Sequence, residues 1–380
     1  MKISDYYTYA PKSKIKAGDA NPNGKYQFYT SSPDESRRCD EYLYDCKAIV
    51  MGTGGSATLH YYDGKFSTST DCLTLIPNEK IRAKYLYYFF LANMDVLEAG
   101  FKGAGLKHTS KGYIDNIEIT KIPSLPSQDK IVNLFDELAL RIEKERRQIE
   151  KLDELVKARF VEMFGTREKW NDANWKIASI DEIIEKPKSG EWGQKDESGR
   201  GIGVIRTTNF SDGGAVYFNS ITTRDIPREK LITKGIKNGD ILIEKSGGSD
   251  KKPVGRVVLY TGESNKYLNN NFTAILRINN NAEVNNIFLF TFLYINYWQG
   301  GTKVFENKTT GIHNLNLKEF LNKTKIALPD MSLQNQFATF VAQVDKSKFV
   351  LSNELTMCDF YIRLIHDRVM HSRINLRVAQ

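Results

Sequence analysis

Between Gln128 and Phe164 the chain holds neither glycine nor proline, and Gly165 follows at once. Apolar residues recur there in alternating steps of four and three, at Ile131, Phe135, Leu138, Ile142, Ile149, Leu152, Val156 and Met163, with Glu145 and Arg159 interrupting. That spacing lays one stripe along a helix and predicts a coiled-coil seam, with Gly165 as its stop. The 37 residues from Gln128 to Phe164 extend about 55 Å at helical rise, longer than one turn of B-DNA at about 34–36 Å. A rod of that length acts as a spacer.

The pattern is written a second time. Adding 206 to each seam position gives Phe337, Val341, Val344, Lys348, Leu351, Leu355, Cys358, Ile362, Ile365 and Val369. The polar interruptions alternate between the copies: Glu145 and Arg159 stand against Leu351 and Ile365, and Lys348 against Ile142. Polar seam residues fix alignment at some cost in stability, so two non-identical helices pairing in one register are expected. The same offset maps Gly105-Leu106 onto Gly311-Ile312, Pro123 onto Pro329 and Gln128 onto Gln334.

Upstream, Gly54-Gly55-Ser56 matches Gly247-Gly248-Ser249, each after an apolar strand-like run, and the aromatic stretch Tyr85 to Met94 matches Ile287 to Asn296. The organisation is therefore globular unit (1–122), long helix (123–165), globular unit (166–328), long helix (329–380). Strand-like runs separated by Gly and Asn turns make the globular units mixed α/β.

Composition narrows the chemistry. A chain of 380 residues accommodates two or more domains. The most apolar run, Ile287 to Trp298, is well short of the roughly 20 residues that span a bilayer, so a cytoplasmic protein with no membrane partner is expected. Cys39, Cys46, Cys72 and Cys358 show no Cys-x-x-Cys spacing, which argues against zinc and disulfides and for buried thiols. Lys and Arg number 54 against 46 Asp and Glu; the helical segments are nearly neutral, so the excess falls on the globular units. That favours an acidic partner.

No catalytic constellation is legible. Neither Gly-Gly-Ser loop carries the Lys-Ser/Thr pair of a Walker A loop, and each leads towards a strand rather than opening a cofactor-binding helix. The chain has no Pro-Pro dipeptide of the kind a base methyltransferase would show, and His108 and His313 lie beside no nucleophile and base set. What recurs instead is small polar and basic residues on loops. In the first unit these are Thr30, Ser31, Thr53, Ser56, Lys65, Lys107, His108 and Lys111. In the second they are Arg206, Thr207, Asn209, Lys245, Ser246, Ser249, Lys251, Lys252, Arg256, Lys308, Thr309 and His313. Such groups suit DNA: Lys and Arg neutralise phosphates, glycine amides approach them, and Arg or Asn pairs with base edges.

Two stretches carry a resemblance, ITKIPSLPSQDKIVNLFDEL (Ile119 to Leu138) and TKIALPDMSLQNQFATFVAQV (Thr324 to Val344). In each, a strand ends at Pro and a Gln a few residues on opens the long helix. With the paired Gly-Gly-Ser loops, the chain resembles, over nearly its whole length, the specificity subunit of type I restriction-modification systems. The resemblance implies an α+β fold with two mixed α/β target-recognition domains separated by two long antiparallel coiled-coil helices, in a pseudo-twofold internal repeat.

It further implies that each domain reads one half of a bipartite site on double-stranded DNA. The helices then set the spacing and dock two methyltransferase subunits, which bind S-adenosylmethionine, while restriction subunits use ATP and Mg. This chain would hold no cofactor and no active site. Some members carry a segment before the first recognition domain, whereas this chain reaches strand-like sequence soon after Met1, which leaves the packing of its N-terminus against the C-terminal helix open. Two other readings of the residues stand beside it: the recognition portion of a fused restriction-methylation enzyme, and a coiled-coil scaffold with no DNA role.

Glu in place of Leu152 or Ile362 puts an unpaired carboxylate into the seam. Each substitution is expected to unpair the helices, seen as a lowered thermal midpoint and loss of helical circular dichroism.

Overall fold

The computed structural model describes residues 1–165, 170, 173–309 and 312–366; Gly311 and Val369 lie outside them. Two compact units emerge, Met1–Arg146 with Ser352–Gln380, and Arg147–Leu351. Their boundary runs through both long helices, Leu125–Phe164 and Met331–Ile365. Each unit owns the first part of one helix and the last part of the other, because those parts share its apolar core.

The first unit holds a six-stranded sheet of β1 (Tyr7–Tyr9), β2 (Tyr26–Tyr29), β3 (Arg38–Cys39), β4 (Tyr44–Gly52), β5 (Leu59–Thr68) and β6 (Cys72–Pro77), in the order β1-β6-β4-β5-β2-β3. All neighbours are antiparallel except β2 and β5. Side chains alternate across a strand, and β4 buries both faces. Ile49 and Met51 pack on Tyr85, Leu86, Phe89 and Phe90 of the helix Ala83–Ala92, while Ala48 and Val50 meet Tyr29, Tyr44 and Phe66. The N-terminus is tied back: Met1 donates from its ammonium to the Ile119 carbonyl at 3.3 Å and Lys2 bridges Glu118.

The second unit repeats this plan in smaller sheets. Ile241–Glu244 lies between Val257–Leu259 and Thr273–Leu276, antiparallel to both, and Lys188–Ser189 closes the edge. Again the faces alternate: Ile241 and Ile243 share a cluster with Phe288, Leu289 and Phe292 of the helix Asn286–Trp298, whereas Leu242 sits with Val258, Tyr260 and Ile275. A further sheet orders Leu268–Asn269, Ile202–Ile205, Thr222–Asp225 and Gln194–Lys195. The strand Lys176–Ser179 pairs with Lys325–Leu328, which leads into the second long helix.

Matched hydrogen bonds attach each long helix to its unit. Gln128 is fully buried; its Oε1 accepts the Arg82 amide at 2.7 Å, and its Nε2 donates to the carbonyls of Pro123 at 2.9 Å and Lys80 at 3.4 Å. Gln334, also fully buried, accepts from the Asn285 amide at 2.9 Å and donates to Pro329 at 2.7 Å and Glu283 at 3.1 Å. Arg82 and Asn285 are the N-cap residues of the two aromatic helices. One primary amide thus saturates backbone groups of two helix starts that would otherwise be buried without partners.

Within each unit the helix segments run antiparallel. In the first, Phe135 clusters with Ile131, Ile362 and Ile365, and Arg141 reaches Glu354 at 2.9 Å. In the second, Lys348 meets Asp153 at 2.6 Å, the Phe160 and Phe337 rings lie 5.4 Å apart, and Val156 and Val341 pack on the same core. Val344 is buried; Leu138, Ile142, Leu355, Ile149, Leu152 and Leu351 are half-buried. Glu145, the first polar interruption of the seam, is itself buried, and Arg141 Nε donates to it at 2.9 Å.

Gln128→Leu and Gln334→Leu each strand a buried amide N–H and a carbonyl. Each is expected to cost about 2–4 kcal/mol, read from the midpoint of urea unfolding at unchanged slope. Gln→Glu is expected to be no less damaging, since a carboxylate cannot donate to the proline carbonyl.

Candidate nucleic-acid interface

In both units three segments that lie far apart in sequence meet at one end of the central sheet. In the first, the Gly-Gly-Ser loop joins β4 to β5 and lies against residues 107–109: Gly55 donates to the Lys107 carbonyl at 2.9 Å, and Thr109 to Thr53 at 3.0 Å. The third segment follows β2. Ser31 Oγ accepts the Thr53 amide at 3.1 Å and donates to the Asp71 carbonyl at 2.5 Å. In the second unit Ser246–Gly248 pairs with Ile312–Leu315, with Gly248 opposite His313, and residues 207–212 close from the third side through Arg256 and Lys252. The two loops flagged separately in sequence are therefore neighbours, twice.

The glycine triplets match in place but not in conformation. Gly55 holds φ at +88° in the first loop, whereas Gly247 holds +108° in the second. Gly54 bridges His108 and Gly248 pairs with His313, so the left-handed residue and the paired residue exchange order. Gly248 also permits close approach, since a Cβ there would stand 2.5 Å from the Val254 nitrogen. The two histidines differ as well: His108 is exposed, while His313 is buried with Nδ1 against Glu306.

The candidate residues separate by exposure and by partner. In the first unit Ser56, Lys65, Lys107, His108 and Lys111 are exposed, and Ser31 and Thr53 are half-buried. Lys65 Nζ lies 4.7 Å from the centre of the Tyr42 ring, and Lys111 Nζ 4.3 Å from that of Tyr9. Thr30 faces inward at 3% exposure and leaves the set that can meet a ligand at the surface. Buried His60, unmarked by any sequence signal, stacks on Tyr29 at 4.6 Å and meets Glu35 at 2.9 Å.

The second unit is more heavily neutralised than its sequence suggests. Lys252 pairs with Asp212 at 2.9 Å and Lys308 with Asp250 at 2.5 Å. The Lys308 ammonium in turn holds the Asp250 carboxyl below its ordinary range. Arg256 is not a free surface cation: its guanidinium grips Glu244 through Nε at 3.0 Å and a second nitrogen at 3.2 Å, with Glu244 itself 3% exposed. Lys245 donates to Ser189 Oγ at 3.1 Å, and burial pushes its pKa down. Asn209, 2% exposed, closes its own turn and likewise leaves the surface set. Ser246 and Thr207 are half-buried and Ser249 and Lys251 exposed; the side chain of Thr309 lies outside the described set. Asp212 and Asp250 were missed because their partners stand 40 and 58 residues away in the chain.

Among the described residues, no group of three or more His, Cys, Asp or Glu side chains could hold a metal ion, and no helix is long and apolar enough to cross a membrane. Cys39, Cys72 and Cys358 are buried and all four thiols are free.

The sequence matches the type I restriction modification DNA specificity domain twice, over residues 1–154 and 172–356. The chain belongs to that family. Over 144 residues, 38% of its length, it is 24% identical to the type I restriction enzyme EcoDI specificity subunit of Escherichia coli, and the match spans 32% of that relative. The fold is similar to that of the S subunit of a type I restriction-modification system from M. genitalium, at a TM-score of 0.59 and 16% identity, covering 96% of this chain and 94% of that one. A chain solved in work on complex assembly and conformational transition of the type I R-M system aligns at a TM-score of 0.50 and 14% identity, covering 97% and 96%. Both likenesses concern the fold: mixed helix-and-strand units with two long helices, the architecture expected of the specificity family from the sequence.

Glu244→Gln removes the charge that compensates Arg256. Breaking a buried pair from one side is expected to cost about 3–5 kcal/mol, measured by chemical denaturation, and to disorder the turn at Thr207, whose carbonyl Arg256 also holds at 3.3 Å.

Proposed function

We propose that this chain is the DNA-recognition subunit of a type I restriction-modification complex. Each globular unit reads one half of a bipartite duplex target, and the long helices set the separation of the halves and dock two methyltransferase subunits. The observation that carries the reading is the double convergence: the same three segments meet at the same end of the sheet in both units, with exposed Lys107 and Lys111 in one and Lys251 in the other. One surface built twice suits a target read in two parts, and membership of the specificity family supports the same assignment.

Under this proposal the chain contributes no catalytic group. The methyl donor, S-adenosylmethionine, belongs to the partner methyltransferase, and ATP with Mg to restriction subunits; the complex works on DNA in the cytoplasm. Because the two units differ in loop sequence and in charge pairing, the half-sites differ. The chain's own residues supply phosphate contacts, through lysines without carboxylate partners among the described residues, and groove contacts from the loops.

Co-expression with the cognate methyltransferase subunit, followed by mapping of methylated adenines, tests the proposal. The expected outcome is a stable complex that methylates an asymmetric, interrupted site. Methylation confined to one contiguous site, or binding of the complex to DNA that does not weaken with salt, would overturn it.

A further inference from the structure

Charge pairing within the three convergent segments of the second unit leaves few basic groups uncommitted. Lys252, Lys308 and Arg256 are each held by a carboxylate, and Lys245 by Ser189. Within the three convergent segments, Arg206 and Lys251 remain without a carboxylate partner among the described residues. They are unlike each other. Lys251 is exposed on the loop, whereas Arg206 is half-buried, and its Nε is enclosed with no hydrogen-bond partner among the described residues.

The backbone beneath Arg206 is pinned. Its amide donates to Asn209 Oδ1 at 3.0 Å, its carbonyl accepts the Asn209 amide at 2.8 Å, and the next carbonyl, Thr207, is held by Arg256. The inward-facing Asn209 and the Arg256–Glu244 pair thus form a rigid seat for one arginine. Nε is the enclosed nitrogen of its guanidinium, so the two terminal nitrogens are the ones left to meet an incoming acceptor. A guanidinium fork offered from a fixed turn matches the O6 and N7 acceptors of guanine in the major groove, the commonest base-specific contact of arginine.

The first unit has a different residue at the same place. The Asn270 amide donates to Ile205, immediately before Arg206, at 3.0 Å; the Ser69 amide donates to Tyr29, immediately before Thr30, at 2.8 Å. Thr30 is therefore the counterpart of Arg206, and it is short and buried, with Oγ1 also unpartnered. Of the two equivalent positions, one carries a half-buried guanidinium fork and the other a buried hydroxyl.

We infer that Arg206 is a specificity-determining residue of the second unit, reading a guanine in its half-site, while Lys251 serves as a sequence-independent phosphate contact. The inference rests on the DNA-recognition reading proposed above.

The test uses the full complex of this chain with its methyltransferase subunits, carrying Arg206→Ala, Arg206→Lys or Lys251→Ala, with methylated sites mapped for each. Both Arg206 variants are expected to lose discrimination at one guanine of one half-site by about 10-fold to 100-fold, with the other half-site unchanged. Lysine does not rescue, because it keeps the charge and loses the fork. Lys251→Ala is expected to weaken binding and lower the salt slope while leaving the site intact.

An unchanged site in both Arg206 variants overturns the inference. So does full rescue by Arg206→Lys, which would make the contact a phosphate one, and so does failure of both variants to assemble, which would assign Arg206 to the fold. A wild-type complex that methylates no interrupted site instead sinks the parent reading.

Discussion

A buried primary amide at the start of each long helix is the interaction on which the architecture rests. A buried polar side chain at a helix start needs partners for its own amide, and nearby backbone groups shielded from water need them too. Gln128 and Gln334 answer this with the one side chain that both accepts and donates at the required reach, tying the helix start to the capping amide of the aromatic helix and to the preceding proline carbonyl. Phe135 and Phe337 then carry the helix face into the same apolar clusters. The direction in which each helix leaves its unit follows from these bonds.

Polar groups elsewhere fix alignment more than they add stability. Glu145 is buried in the seam and pairs within its own helix with Arg141, which also reaches Glu354 on the facing helix, and Lys348 spans to Asp153. A leucine at any of these places would tolerate several registers, whereas a charge paired across the seam favours the one that supplies its partner. Arg256 and Glu244 act likewise in the second unit, where a half-buried ion pair braces a surface turn.

The two candidate surfaces are variations on one frame. Strand order around β4 and around Ile241–Glu244, the position of the aromatic helix, and the meeting of the Gly-Gly-Ser loop with a histidine-bearing segment are shared. Burial and charge pairing at matched positions are not: His108 is open and His313 closed, Thr30 is buried and Arg206 half-buried. A repeated frame keeps geometry constant while its loops differ, which suits recognition of two unlike half-sites.

The sequence by itself determined what depends on periodicity and on duplication: the heptad stripe, the offset of 206 between its copies, the aromatic helices and the pairing of the glycine loops. These are local or repetitive signals, and the physics behind them acts over a few residues or is written twice. Tertiary structure alone decided which lysines are free, because Asp212 and Asp250 reach their partners across 40 and 58 residues. It decided that Thr30 and Asn209 face inward, since a polar side chain on a loop carries no mark of its burial in the sequence. It also divided each long helix between two units, because each core claims faces from segments of both helices, and only folding brings those distant segments together.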